Sequence, residues 1–109
     1  MKKVLLAAAL LSGAAAAAVA AEIHGTISEG GKPVPAGTAV RLECSGTTAN
    51  ASTDAYGSYS VKIGATGACE LSLSWKGGTP ALPVTIYDKP SRYDVIVAEE
   101  GGKTVLRRK

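Results

Sequence analysis

The sequence predicts an all-β protein, an antiparallel β-sandwich of seven to eight short strands. Three observations carry that expectation. Beyond residue 22, apolar residues recur at every second position, as in Cys69, Leu71, Leu73 and Trp75 set between Glu70, Ser72 and Ser74. Clusters of Gly, Pro, Asp and Ser interrupt these runs at short spacing. No stretch after residue 22 repeats its apolar residues with the 3.6-residue period of a helix.

The first 21 residues are set apart. Met1-Lys2-Lys3 is a short basic region, Val4 to Val19 is almost wholly apolar and alanine-rich, and Ala18 to Ala21 offer small-residue cleavage positions after Ala20 or Ala21. This is the pattern of a secretory signal peptide, with a membrane anchor as the alternative. The expected working protein is one domain, residues 22–109, with no stable membrane span after processing. Loss of Lys2 and Lys3 leaves ten basic residues against nine acidic ones. That balance gives no electrostatic case for nucleic acid. The expected setting is the periplasm or the outside of a bacterial cell.

The elements follow in order. Ile23, Gly25 and Ile27 alternate with His24, Thr26 and Ser28 in a first strand. Glu29 to Gly37, with three glycines and two prolines, reads as an unpaired connection. Thr38 to Cys44 is a second strand, with Val40, Leu42 and Cys44 on one face and Ala39, Arg41 and Glu43 on the other. Ser45 to Asn50 reads as a polar loop, and Ala51 to Thr53 as a short strand. In Thr53-Asp54-Ala55-Tyr56-Gly57-Ser58-Tyr59, Asp54 can bond its own backbone two residues on, and Gly57 supplies a positive φ. Tyr59, Val61 and Ile63 then face one way. After the cleanly alternating run to Trp75, Leu82 to Ile86 forms a strand that Pro83 assigns to a sheet edge. Tyr93, Val95 and Val97 face inward, Glu99 to Gly102 is a hairpin connection, and Lys103 to Arg108 closes the chain.

A core of this size is marginal without a staple. Cys44 and Cys69 are the only cysteines, and an even count in an exported chain favours one disulfide. Metal ligation and a reactive thiol are the alternatives. The cross-link closes a span of 25 positions, worth roughly 3.5 kcal/mol by loop-closure entropy. Both cysteines are in phase with the inward faces of their strands, and Trp75 packs in or beside the same core.

Few residues carry chemistry. If cleavage follows Ala21, the amine of Glu22, two backbone amides and the His24 imidazole can surround Cu(II) or Ni(II) in a square plane. The simpler reading is a solvent-facing histidine at the start of an edge strand. Glu43 and Asp54 are formal cation ligands, with Asp54 better read as a turn former. No His partners a serine for nucleophilic catalysis, and no cofactor is expected.

Gly25, Ile27, Gly31, Pro33, Val34, Gly37, Val40 and Leu42, followed by Thr53, Asp54, Gly57 and Tyr59, form a pattern that resembles the carboxypeptidase regulatory-like domain. The match spans roughly residues 22 to 75. The resemblance implies a transthyretin-like sandwich, related in build to immunoglobulin-like ones. It also implies a non-catalytic accessory or binding role, with an envelope protein or polysaccharide as partner. The catalytic relative of that fold is 5-hydroxyisourate hydrolase, which relies on several histidines, an arginine and a terminal Tyr-Arg-Gly-Ser. This chain has one histidine and ends Val105-Leu106-Arg107-Arg108-Lys109.

Overall fold

A computed structural model describes residues 21–109. The proposed signal peptide and its cleavage lie outside the described residues, apart from Ala21. Ten strands follow one another: β1 (Ala21–Glu29), β2 (Lys32–Pro33), β3 (Ala39–Cys44), β4 (Thr47–Ser52), β5 (Ser58–Ile63), β6 (Gly67–Leu73), β7 (Ala81–Ile86), β8 (Ser91–Arg92), β9 (Val95–Glu100) and β10 (Lys103–Arg108). They form two sheets. One has the order β4-β3-β6-β7, antiparallel throughout. The other is built on β1, with β9 and β10 beyond it on one side.

The expected sandwich is therefore present, with eight longer strands and two pairings of only two residues, β2 and β8, that no periodicity can reveal. The other sheet departs from the expectation at β1. The sequence pattern puts His24 at the start of an edge strand, but β1 is the hub of its sheet. Its Ala21–Thr26 part pairs antiparallel with β5, and its far end pairs with β2. Its other side pairs in parallel with β8 and β9. The Tyr93 N–H donates to the His24 carbonyl at 2.8 Å, closing the gap between β8 and β9.

Two connections also differ from expectation. Lys32 and Pro33 are not free but pair with Glu29 and Ser28, and Val34 beyond them is buried. The polar loop expected at Ser45 to Asn50 is a two-residue turn followed by strand. Ser45 and Gly46 have φ of 47° and 86°, the paired positive values of a type I′ hairpin, whose twist matches the flanking strands. The residues of β4 that face the core are Ala49 and Ala51. Their apolar signal is too weak to reveal a strand. At the far end of the same sheet the strand expected to reach Trp75 stops at Leu73. Trp75 and Gly78 exchange backbone hydrogen bonds of 3.0 and 2.8 Å across a tight turn, and the buried indole fills the end of the sandwich.

The inward residues behave as alternation requires. Ile23 and Ile27, Val40 and Leu42, Tyr59, Val61 and Ile63, Leu71 and Leu73, Val84 and Ile86, and Val95 and Val97 are all buried in one core. Cys44 and Cys69 are joined. The β3–β6 register, in which Glu43 faces Glu70, sets the two cysteines directly opposite each other one step further on. Their Cα separation of 4.4 Å is that of a non-hydrogen-bonded antiparallel pair. Pro83 sits on β7, an outermost strand, as its missing N–H demands.

Candidate functional site

The Thr53–Tyr59 turn is a folding element. The Asp54 carboxylate accepts the N–H groups of Tyr56 and Ser58 at 2.8 and 2.9 Å. Gly57 has a φ of 74°, and a Cβ there would stand 2.5 Å from the Ile27 carbonyl oxygen. Buried Thr53 donates its hydroxyl to the Pro35 carbonyl and accepts the Thr38 N–H. Tyr59 enters the core and donates its hydroxyl to the Tyr93 carbonyl at 2.7 Å. The Tyr93 hydroxyl in turn accepts the Thr85 N–H at 3.1 Å. A short polar chain thus runs from β5 in one sheet to β7 in the other, with each buried group partnered.

Burial, and then the nearby Asp94 carboxylate, push the Tyr59 phenol well above its ordinary value. The fold therefore favours the protonated form. This stabilisation is complete below the unfolded tyrosine value of about 10 and is lost as pH rises above it. In an alkaline titration, Tyr59 is expected to ionise only as the protein unfolds. A step in tyrosinate absorbance should coincide with loss of the β-sheet circular dichroism, and free ionisation in the folded state would contradict this.

On the outer surface of β1, His24 stands in register with Ser60 on one side and Arg92 on the other. Its Nδ1 lies 3.7 Å from the Glu22 carboxylate, which also accepts the Ser60 hydroxyl at 3.1 Å. Beside them, Asp94 accepts the N–H and hydroxyl of Thr26 on one oxygen and Arg92 Nε at 2.9 Å on the other. The Arg92 hydrogen bond, with smaller help from Thr26, holds the Asp94 carboxyl below its usual range. The residues needed for the square-planar metal site are adjacent, but the backbones of Ile23 and His24 are paired on both sides within the sheet. Metal capture there requires the end of β1 to leave the ladder. Among the described residues, no group of three or more His, Cys, Asp or Glu side chains is placed to hold a metal ion.

Depressions of about 240 to 400 Å³ mark the described surface, and the one lined by three charged side chains lies on the other sheet. The outer face of β4-β3-β6-β7 carries a depression of about 240 Å³. Its floor is made of small residues, Ala39, Ser72, Ser74 and Ala81, with Arg41, Glu43, Asn50 and Glu70 standing around it. Register explains the grouping. Arg41 is flanked directly by Asn50 and Ser72, and Glu43 faces Glu70 across β3 and β6. Opposed like charges are unfavourable in a sheet. Arg41, whose Nη2 lies 3.8 Å from the Glu43 carboxylate, offsets this in part. The cradle thus offers a fixed cation, two carboxylate acceptors, an amide that donates and accepts, and several hydroxyls. The alternation had placed Arg41, Glu43, Glu70 and Ser72 outward, but their convergence with Asn50 depends on β4 and on cross-strand register, which the sequence pattern did not show.

The exposed aromatic residues, Tyr56 and Tyr87, are not among those lining the cradle. Comparison with known protein families and with curated proteins returns no match.

Proposed function

We propose that this protein is a small exported, non-catalytic β-sandwich module that binds polysaccharide at the bacterial envelope through the outer face of the β4-β3-β6-β7 sheet. The observation that carries the reading is the polar cradle around Arg41, Glu43, Asn50 and Glu70, with its floor of small residues. A floor of Ala and Ser lets a flat, hydroxyl-rich chain approach the sheet. The surrounding groups supply both donors and acceptors for its hydroxyl and amide substituents. The cradle lies on rigid strands, which lowers the ordering cost of binding.

The sandwich, and the turn built by Thr53, Asp54, Gly57 and Tyr59, support the resemblance to the carboxypeptidase regulatory-like domain. The disulfide is compatible with the oxidising compartment that the signal peptide implies. The hydrolase reading has less to stand on: the chain's single histidine lies on a strand surface beside Ser60 and Arg92, with no second imidazole to join it.

The test is calorimetric titration of the processed protein with peptidoglycan fragments released by a muramidase. Arg41→Ala is expected to weaken binding at least tenfold, the loss of one charge-assisted hydrogen bond. Since Arg41 is exposed, its removal should leave thermal stability within about 0.5 kcal/mol of the parent. Binding that Arg41→Ala leaves unchanged removes the cradle from the account.

A further inference from the structure

The strands that end the two sheets are not equally guarded. β7 carries Pro83, β10 carries Lys103, Arg107 and Arg108, and β5, which pairs with β1 alone, carries Lys62. Proline and charge are the usual means of keeping an edge from pairing with another chain. β4, with the sequence Thr-Thr-Ala-Asn-Ala-Ser, has neither. It ends its sheet, is six residues long, and is hydrogen-bonded on its β3 side alone.

The phase of its free side can be worked out. A two-residue hairpin makes Cys44 and Thr47 its closing hydrogen-bonded pair. Hydrogen-bonded and non-hydrogen-bonded pairs then alternate along the ladder, so Thr47, Ala49 and Ala51 direct their N–H and C=O groups toward β3. The Cys44–Cys69 pair checks this assignment. Cys44 uses its backbone groups toward β4 and must be non-hydrogen-bonded toward β6, as its 4.4 Å Cα separation from Cys69 shows. Thr48, Asn50 and Ser52 therefore present their backbone groups at the open edge.

We infer that this edge pairs with β4 of a second copy of the chain, antiparallel and centred on Asn50. A two-fold axis along the sheet normal keeps outward residues outward, so position i can face only a position of like parity. Centring on Asn50 sets Asn50 against the partner's Asn50 and Thr48 against the partner's Ser52. It engages all three open-edge residues of each copy, giving roughly six backbone hydrogen bonds at two per hydrogen-bonded pair. Centring on Ala49 leaves Ser52 outside the ladder. An axis of this kind brings any charge near its centre close to its own copy. An uncharged β4 suits a second copy of itself, and the amides of two Asn50 side chains can bond each other. On the inward face Ala49 meets the partner's Ala51, extending the apolar surface. The product is one continuous eight-stranded sheet with two cradles on the same face, spaced to engage successive stretches of one long polymer. The pairing stands whether or not the cradle binds polysaccharide.

Sedimentation velocity of the processed protein, without ligand, from about 1 µM to about 1 mM, where associations of ordinary strength are visible, tests it. The expected result is a monomer–dimer equilibrium. Asn50→Lys, which sets two like charges across the axis, should weaken it at least tenfold, and Asn50→Ser should leave it in place. Because Asn50 is exposed, both variants should keep the parent circular dichroism. In hydrogen exchange, the Thr48, Asn50 and Ser52 amides should gain protection as protein concentration rises. A protein that stays monomeric throughout, or a dimer that Asn50→Lys does not weaken, or one in which those three amides remain unprotected, overturns the inference.

Discussion

Replacing Gly25 with alanine is expected to cost more than the same change at any other glycine among the described residues. A Cβ at Gly25 would stand 2.1 Å from the Tyr93 carbonyl oxygen, 2.7 Å from its carbon and 2.9 Å from an Asp94 carboxylate oxygen. None of these can retreat cheaply. The Tyr93 oxygen accepts the Tyr59 hydroxyl, and the Tyr93 N–H donates to His24. Asp94 is held by Thr26 and Arg92. Relief of the overlap has to push the β8–β9 segment off β1 and break the polar chain that links the sheets. A loss of at least about 3 kcal/mol is expected from such overpacking, out of a total of roughly 5–15 kcal/mol for a domain. Thermal melting should then fall by at least about 12 °C. Gly102→Ala is the matched control. Its φ of 81° disfavours a side chain, but nothing lies within 4 Å, so only the backbone cost of about 1–2 kcal/mol applies. Equal losses at the two positions would contradict the close approach at Gly25.

The second large effect belongs to the disulfide. Cutting Cys44–Cys69 is expected to lower stability by about 3.5 kcal/mol, the loop-closure value for its span, with the mechanism model-dependent. Chemical denaturation of the oxidised and reduced parent measures the cross-link with both sulfur atoms still in the core. The doubly substituted Cys44→Ala, Cys69→Ala protein adds the loss of packing around two buried side chains and should be less stable than the reduced parent. A difference between oxidised and reduced protein below about 1 kcal/mol would show that β3 and β6 are held by their register alone. The expected size of the effect also bears on location. A domain that depends on this bond is better suited to an oxidising compartment than to a reducing one.

The sequence showed what is local and periodic. Tyr59, Val61 and Ile63, Leu71 and Leu73, and both cysteines face inward because a strand alternates its faces, and Pro83 marks an edge because it lacks a donor. Asp54 and Gly57 form the turn their chemistry specifies. What stayed hidden is non-local. His24 became interior to its sheet because Arg92 and Tyr93, far along the chain, pair with the other side of β1. Of β4 only the end, from Ala51, reads as strand, because Ala49 and Ala51 bury little apolar surface and so leave only a faint period. The cradle stayed hidden with it, since Arg41, Glu43 and Glu70 come together with Asn50 only once three strands are set in register. Gly25 stood in the motif from the start, yet its reason, the Tyr93 carbonyl against its face, is visible only in three dimensions.

The central claim is that the outer face of β4-β3-β6-β7 is the binding surface. Its most direct test is amide chemical-shift mapping of the isotopically labelled, processed protein during titration with muramidase-released peptidoglycan fragments. The account predicts shifts concentrated at Arg41, Glu43, Asn50, Glu70 and Ser72, with the surface around His24 and the Tyr56 turn unmoved. Shifts confined to His24, Ser60 and Arg92, or to the turn, or no shifts at saturating fragment, would contradict it.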